Sequence, residues 1–135
     1  KRTSHTHGGG SMTSPLATLK EHREFHQVNM GEGWHSPPGY PAGIEQKILA
    51  GWLDEENGRG NRTRLLRFLP KARTEKPFVH TYWEEVYLLE GDLIVGDPSS
   101  GTVSYPAHTY ACRPPGVLHG PFTSEMGCLL LEIHY

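Results

Sequence analysis

Phe78-Val79-His80-Thr81-Tyr82-Trp83-Glu84-Glu85-Val86-Tyr87-Leu88-Leu89-Glu90-Gly91 and Arg113-Pro114-Pro115-Gly116-Val117-Leu118-His119-Gly120-Pro121-Phe122 are the two stretches that decide the fold of this chain. In the first, Phe78 to His80 reads as a short extended segment. Glu84 to Leu89 reads as a strand closed by a turn at Glu90-Gly91-Asp92, where glycine permits the tight reversal. Strand alternation sends Glu84 and Glu85 to opposite faces, so Glu85 reads as a solvated or hydrogen-bonding residue. In the second stretch, Pro114-Pro115-Gly116 makes a stiff loop that aims His119.

Working outward, further strands follow at Leu93 to Gly96, Thr102 to Tyr105, Thr109 to Arg113 and Gly127 to Tyr135. Upstream, Ile44 to Leu53 is strand-like and Asp54 to Asn61 is a turn. Thr63 to Leu69 alternates apolar and polar side chains until Pro70 ends it. Seven or eight short strands at spacings of about 8 to 12 residues indicate an all-β sandwich or barrel. The 16 glycines and 11 prolines agree with many turns. Gly31 to Gly43 must be irregular, with Trp34 and Tyr40 pinning it to the barrel. Ser14-Pro15 reads as an N-cap with proline at the first helical position, which predicts a short helix over Leu16 to Phe25. Lys1 to Ser11 reads as a leader added for expression, residues 12–33 as an N-terminal arm, and residues 34–135 as a single domain.

Bulk properties exclude several function classes. The length of 135 residues fits one domain. A net charge of -2 gives no basic surplus for a nucleic-acid backbone or a polybasic membrane contact. The apolar runs around Leu129 to Leu131 and Val86 to Leu89 are far shorter than the roughly 20 residues that span a bilayer. No signal peptide is visible, and Cys112 and Cys128 read as small buried residues of a reducing compartment, which gives a cytoplasmic expectation. No Gly-rich phosphate loop, CxxC or G-x-S-x-G element is present.

The two quoted stretches resemble the motifs of the cupin superfamily, H-x-H, three or four residues, E, six residues, G, and P-x-G-x-x-H. His80 takes the place of the second histidine, Glu84 follows after three residues and Gly91 after six more, and Pro114, Gly116 and His119 reproduce the second motif. Phe78 stands where the first histidine would, His108 where the second motif opens with glycine, and Thr123 where it closes with asparagine. Trp34, Gly43-Ile44, Leu65-Leu66-Arg67-Phe68 and Gly127-Cys128 sharpen the resemblance toward ChrR-type cupins, a group that includes the zinc-binding domain of an anti-sigma factor. It is also similar to small acetylacetone-dioxygenase-like cupins, whose second motif reads Leu-His-Gly like Leu118-His119-Gly120.

The resemblance implies a jelly-roll β-barrel with one divalent metal ion held by His80, Glu84 and His119. Two imidazoles and one carboxylate occupy one face of an octahedron and leave positions for water, substrate or O₂, and they suit Fe(II), Zn, Mn, Ni or Co. The leading expectation is an Fe(II) dioxygenase acting on a small diketone-like or hydroxyketone-like substrate. A non-redox isomerase, lyase or hydrolase on the same ligands is the first alternative, and a regulatory zinc-binding module the second. Tyr82 and Arg67 are candidates to position the substrate, and Tyr105 and Arg113 candidates to bind it. Phe78 reads either as core packing or as a wall of the substrate pocket. His108 and His134 could replace the missing ligand, although surface or hydrogen-bonding roles fit them better. The expected partners are a small-molecule substrate and, by analogy, a second copy in a homodimer, with no nucleic acid and no membrane.

Overall fold

The computed structural model describes residues 20–135. Among these residues seven strands carry the fold: β1 (Ile44–Asp54), β2 (Arg59–Phe68), β3 (Glu84–Asp97), β4 (Gly101–Pro106), β5 (Tyr110–Arg113), β6 (Phe122–Thr123) and β7 (Cys128–His134). All pairings are antiparallel, in the order β1-β2-β7-β3-β4, with β5 and β6 also pairing with β3. The architecture is an all-β jelly roll. Among the described residues no helix is long and apolar enough to cross a membrane.

The 14-residue β3 organises the barrel because it serves two sheets. Its first half pairs with β5 and β7, and its second half with β4 and β6. The turn expected at Glu90-Gly91-Asp92 is therefore a correction: the strand continues through it. The register against β7 shifts between Leu88 and Glu90, and Gly91 takes a left-handed φ of 83°. A side chain at Gly91 would collide with the carbonyl oxygen of Gly127, so glycine is required by close approach as well as by φ. This bulge bends one strand out of the first sheet and into the second.

Alternation then decides what faces inward. On β7 the buried residues are Cys128, Leu130, Glu132 and His134. On β2 the matching inward set is Arg62, Arg64, Leu66 and Phe68. Antiparallel register stacks them into rows: Phe68 opposite Cys128, Leu66 opposite Leu130 and Leu88, Arg64 opposite Glu132, and Arg62 opposite His134 and Glu84. One end of the interior is thus apolar, closed by Ile44, Val86 and Leu88, and the other is charged. Burying each large apolar side chain stabilises the fold by roughly 1.5–3 kcal/mol.

Several expectations need correction at the edges. Of the helix expected over Leu16 to Phe25, residues 16–19 lie outside the described residues, and Lys20 to Phe25 are not helical. Phe25 is fully exposed, so the segment has no apolar partner to reward ordering. β6 was not anticipated, since two residues carry no readable period. Cys128 is buried but Cys112 is exposed, because adjacent positions of β5 alternate faces and Arg113 takes the inner one. Trp34 pins its segment as expected, with Arg67 stacked 4.0 Å from its ring.

Candidate metal centre

Three backbone hydrogen bonds fasten the two quoted stretches together. Phe78 and His119 exchange N–H···O bonds of 2.7 and 2.9 Å, and Gly116 N–H donates to the His80 carbonyl at 2.9 Å. Both imidazoles are thereby delivered to one place. His80 Nε2 lies 3.0 Å from His119 Nε2, 3.5 Å from Glu84 Oε2, and His119 Nε2 lies 3.6 Å from Glu84 Oε1. Atoms that bind one ion at about 2.1 Å stand about 3.0–3.5 Å apart, so the triangle is of metal-site size. The three side chains converge as a set able to hold a cation.

Hydrogen bonding behind the triangle fixes its chemistry. The Val117 carbonyl accepts only, so His119 Nδ1, 2.9 Å away, must carry the ring proton, and Nε2 presents a lone pair to the centre. Burial pushes the His119 imidazole below its ordinary pKa, which favours the form that binds metal. Burial would raise Glu84, but hydrogen bonds from His134 and His80 outweigh it and hold the carboxyl well below the usual range. An ionised carboxylate and a free imidazole lone pair face one point. The donor set fits a divalent first-row ion.

Glu84 is oriented from three sides. Arg113 Nη1 donates to Oε1 at 2.9 Å, and His134 Nε2 donates to Oε2 at 3.0 Å. His134 can do so because Arg62 Nε–H donates to its Nδ1 at 3.1 Å, forcing that nitrogen to accept. Next to it Arg64, 1% exposed, donates to Glu132 Oε1 at 2.7 Å and Gln46 Oε1 at 2.8 Å, and reaches the Tyr40 hydroxyl at 3.3 Å. Burial beside this network pushes the Tyr40 hydroxyl up to about 12. Glu84, Glu132 and His134 also lie within metal-binding reach of one another. Arg62, Arg64 and Arg113 bond His134, Glu132 and Glu84 in turn, and His134 gives its other nitrogen to Glu84, so this second cluster is a hydrogen-bonded brace rather than an ion site.

The structure sorts the remaining candidates. Phe78 borders the small cavity beside the triangle, a space of about 30 Å³, with its ring stacked 5.1 Å from Tyr40 and 6.1 Å from both His80 and His119. Arg113 lines the same cavity. Tyr105 does not reach it, lying instead in an adjoining cleft that shares Arg113. Tyr82 is a correction of place: it is buried behind His80, ring centroids 4.6 Å apart, and does not line the cavity. Arg67 is another. Its odd position on β2 turns it to the outer face, where it binds Glu45 at 3.0 Å. His108 bonds the Tyr87 hydroxyl at 2.9 Å on the exposed side, and its φ of 68° keeps the left-handed turn that glycine would take. His134 is the partner of Glu84. Sequence reasoning missed Arg62, Arg64, Gln46 and Glu132, although Arg62 and Arg64 share parity with the buried Leu66 and Phe68.

No family profile matches the chain, and no curated protein sequence matches it significantly. Solved structures do. An RmlC-like cupin from Shewanella frigidimarina NCIMB 400 superposes with a TM-score of 0.59 at 18% identity over 83% of this chain and 90% of that one. An acetylacetone dioxygenase from Acinetobacter johnsonii gives 0.59 at 19% over 84% and 76%. The polyketide cyclase RemF from Streptomyces resistomycificus gives 0.55 at 19% over 84% and 79%. At these identities the likeness is one of fold, and the neighbours differ in chemistry.

Proposed function

This chain has the cupin fold, and from that premise we propose that it is a metal-dependent enzyme, in first reading an Fe(II) dioxygenase acting on a small oxygenated substrate. The observation that carries the reading is the convergence of His80 Nε2, His119 Nε2 and the Glu84 carboxylate at separations of 3.0 to 3.6 Å, with the His119 lone pair turned inward. Iron held there would supply electrons for oxygen chemistry, whereas a redox-inert ion would supply Lewis acidity alone.

The protein's own groups have separable tasks. Tyr82 and the Val117 carbonyl fix the two imidazoles. His134 and Arg113 hold the carboxylate, and Arg113 also offers a cation to a substrate oxygen. Phe78 and Phe122 form the apolar wall that keeps water from the reacting carbon. Phe78 removes a fourth protein ligand, leaving two histidines and one glutamate. That count also matches catalytic zinc sites, which favours non-redox Lewis-acid chemistry as the second reading.

Oxygen uptake separates the two. Protein loaded with Fe(II) should consume O₂ with a panel of β-diketones and hydroxyketones, and the zinc-loaded protein should not. Equal turnover under argon by the zinc form would select the Lewis-acid reading. Failure of both loaded forms to transform any substrate would remove both readings.

A further inference from the structure

The lumen does not end at the metal triangle. Between the second half of β3 and strands β4 and β5 lies an adjoining cleft of about 200 Å³, walled by Leu88, Leu93, Val95 and Leu130 with Tyr105 at its rim. Val86, Leu93, Leu130 and Arg113 line both spaces, so the two are neighbours, with Arg113 the charged side chain between them. Among the described residues, Arg113 is the single charged side chain on the cleft wall.

Arg113 has capacity to spare. A guanidinium carries five N–H donors, and among the described residues Arg113 makes one side-chain hydrogen bond, to Glu84. Among the described residues the one buried polar side-chain atom without a partner is Asn61 Oδ1, so the remaining Arg113 nitrogens open onto accessible space. Arg64, by contrast, spends its donors on Glu132, Gln46 and Tyr40. Charge points the same way. Three interior arginines, Arg62, Arg64 and Arg113, face two interior carboxylates, Glu84 and Glu132, with Glu55 closing on Arg62 at 2.9 Å from the rim. A divalent ion at the triangle would add positive charge that, among the described residues, no further carboxylate lining the lumen matches.

We propose that this cleft binds a small organic acid: an apolar body lies against Leu88, Leu93, Val95 and Leu130, and an anionic head bonds to Arg113 beside the metal triangle. The cleft is smaller than the roughly 300–1,000 Å³ of drug-sized pockets, which limits the body to about one ring or a short chain. The head takes the open edge of the guanidinium while Glu84 keeps the other, an arrangement the planar fork of arginine supports and lysine does not. The proposal deepens the enzymatic reading and rests on it for the chemistry, though not for the binding.

Calorimetric titration with 3-phenylpropanoate and its neutral isostere 3-phenylpropanamide tests it, on wild-type protein whose metal content is measured in parallel. A hydrogen bond to a charged group favours the acid by roughly 10- to 100-fold. Arg113→Gln should erase that preference. Because this variant also strips Glu84 of a partner, Ala111→Phe provides an independent arm: Ala111 shares the inner face of β5 with Arg113, lines the cleft, and pairs with Val86 instead of Glu84. It should block both ligands and leave metal content unchanged. Equal affinity for acid and amide, or undiminished acid binding in Ala111→Phe, overturns the proposal and leaves the metal reading standing. Acid-selective binding by protein that holds no metal upholds the site and removes the chemistry proposed for it.

Discussion

Replacing His134 by phenylalanine tests how the carboxylate of Glu84 is held. His134 has no exposed surface and makes two hydrogen bonds, accepting from Arg62 Nε–H at 3.1 Å and donating to Glu84 Oε2 at 3.0 Å. Phenylalanine keeps a ring in the same space but leaves a guanidinium N–H and a carboxylate oxygen without that partner. Each lost bond to a charged group costs about 1.5–3 kcal/mol, so His134→Phe should lose roughly 3–6 kcal/mol. That is a large part of the roughly 5–15 kcal/mol that holds a domain together. Urea unfolding of metal-free protein reads it as a lower midpoint at constant slope. The pH limb gives a second reading. Glu84 ionises below its usual range in the folded chain, and its pairing contributes fully above the ordinary carboxylate pKa of about 4.3. That stability is lost as pH falls toward the folded value. His134 supplies the strongest bond lowering Glu84, so the variant should unfold with a flatter acid limb. A loss under about 1 kcal/mol with an unchanged limb would refute this account of the brace.

Further outcomes follow from the same interior. Arg64→Met leaves Glu132 buried without its cation and should cost about 3–5 kcal/mol in chemical denaturation, and adding Glu132→Leu should recover most of it; additive losses would contradict the pairing. Gly91→Ala meets both a left-handed φ and the Gly127 carbonyl, whereas Gly39→Ala meets a similar φ of 81° in open space. The first should therefore lower the melting temperature well beyond the second, whose strain is about 1–2 kcal/mol, and equal shifts would remove the bulge argument. Ellman's reagent should titrate Cys112 in native protein and reach Cys128, whose thiol burial pushes up to about 11, only after denaturation. Immediate reaction of both would show that β7 does not bury its inner face.

The sequence announces this fold through punctuation and period. Gly-Pro clusters separate alternating segments, and β1, β2, β4, β5 and β7 lie close to where alternation puts them. His80, Glu84 and His119 were legible because two spaced motifs carry them, and the structure brings them together. Gly91 misled: a glycine in a strand pattern marks a turn or a bulge with equal local force, and only the pairing partner across the sheet decides between them. The interior arginines misled for another reason. Charged residues are read as exposed, and Arg67 and Arg64 differ only in parity: Arg67 faces outward and bonds Glu45, whereas Arg64 faces inward and bonds Glu132. Buried charge needs a partner from a strand far along the chain, here 68 residues away, and no local pattern reveals one. The burial of Tyr82 is illegible for the same reason, since stacking on His80 is a tertiary contact.

Metal titration with His80→Ala, Glu84→Gln and His119→Ala probes the central claim directly. Wild-type protein, stripped and then titrated with Co(II) or Zn(II), should take up one equivalent per chain. Each substitution, checked for folding by circular dichroism, should abolish that uptake or weaken it severely. A wild-type chain that binds no ion, or three folded variants that bind it as well as wild type, would contradict a metal held by two imidazoles and a carboxylate.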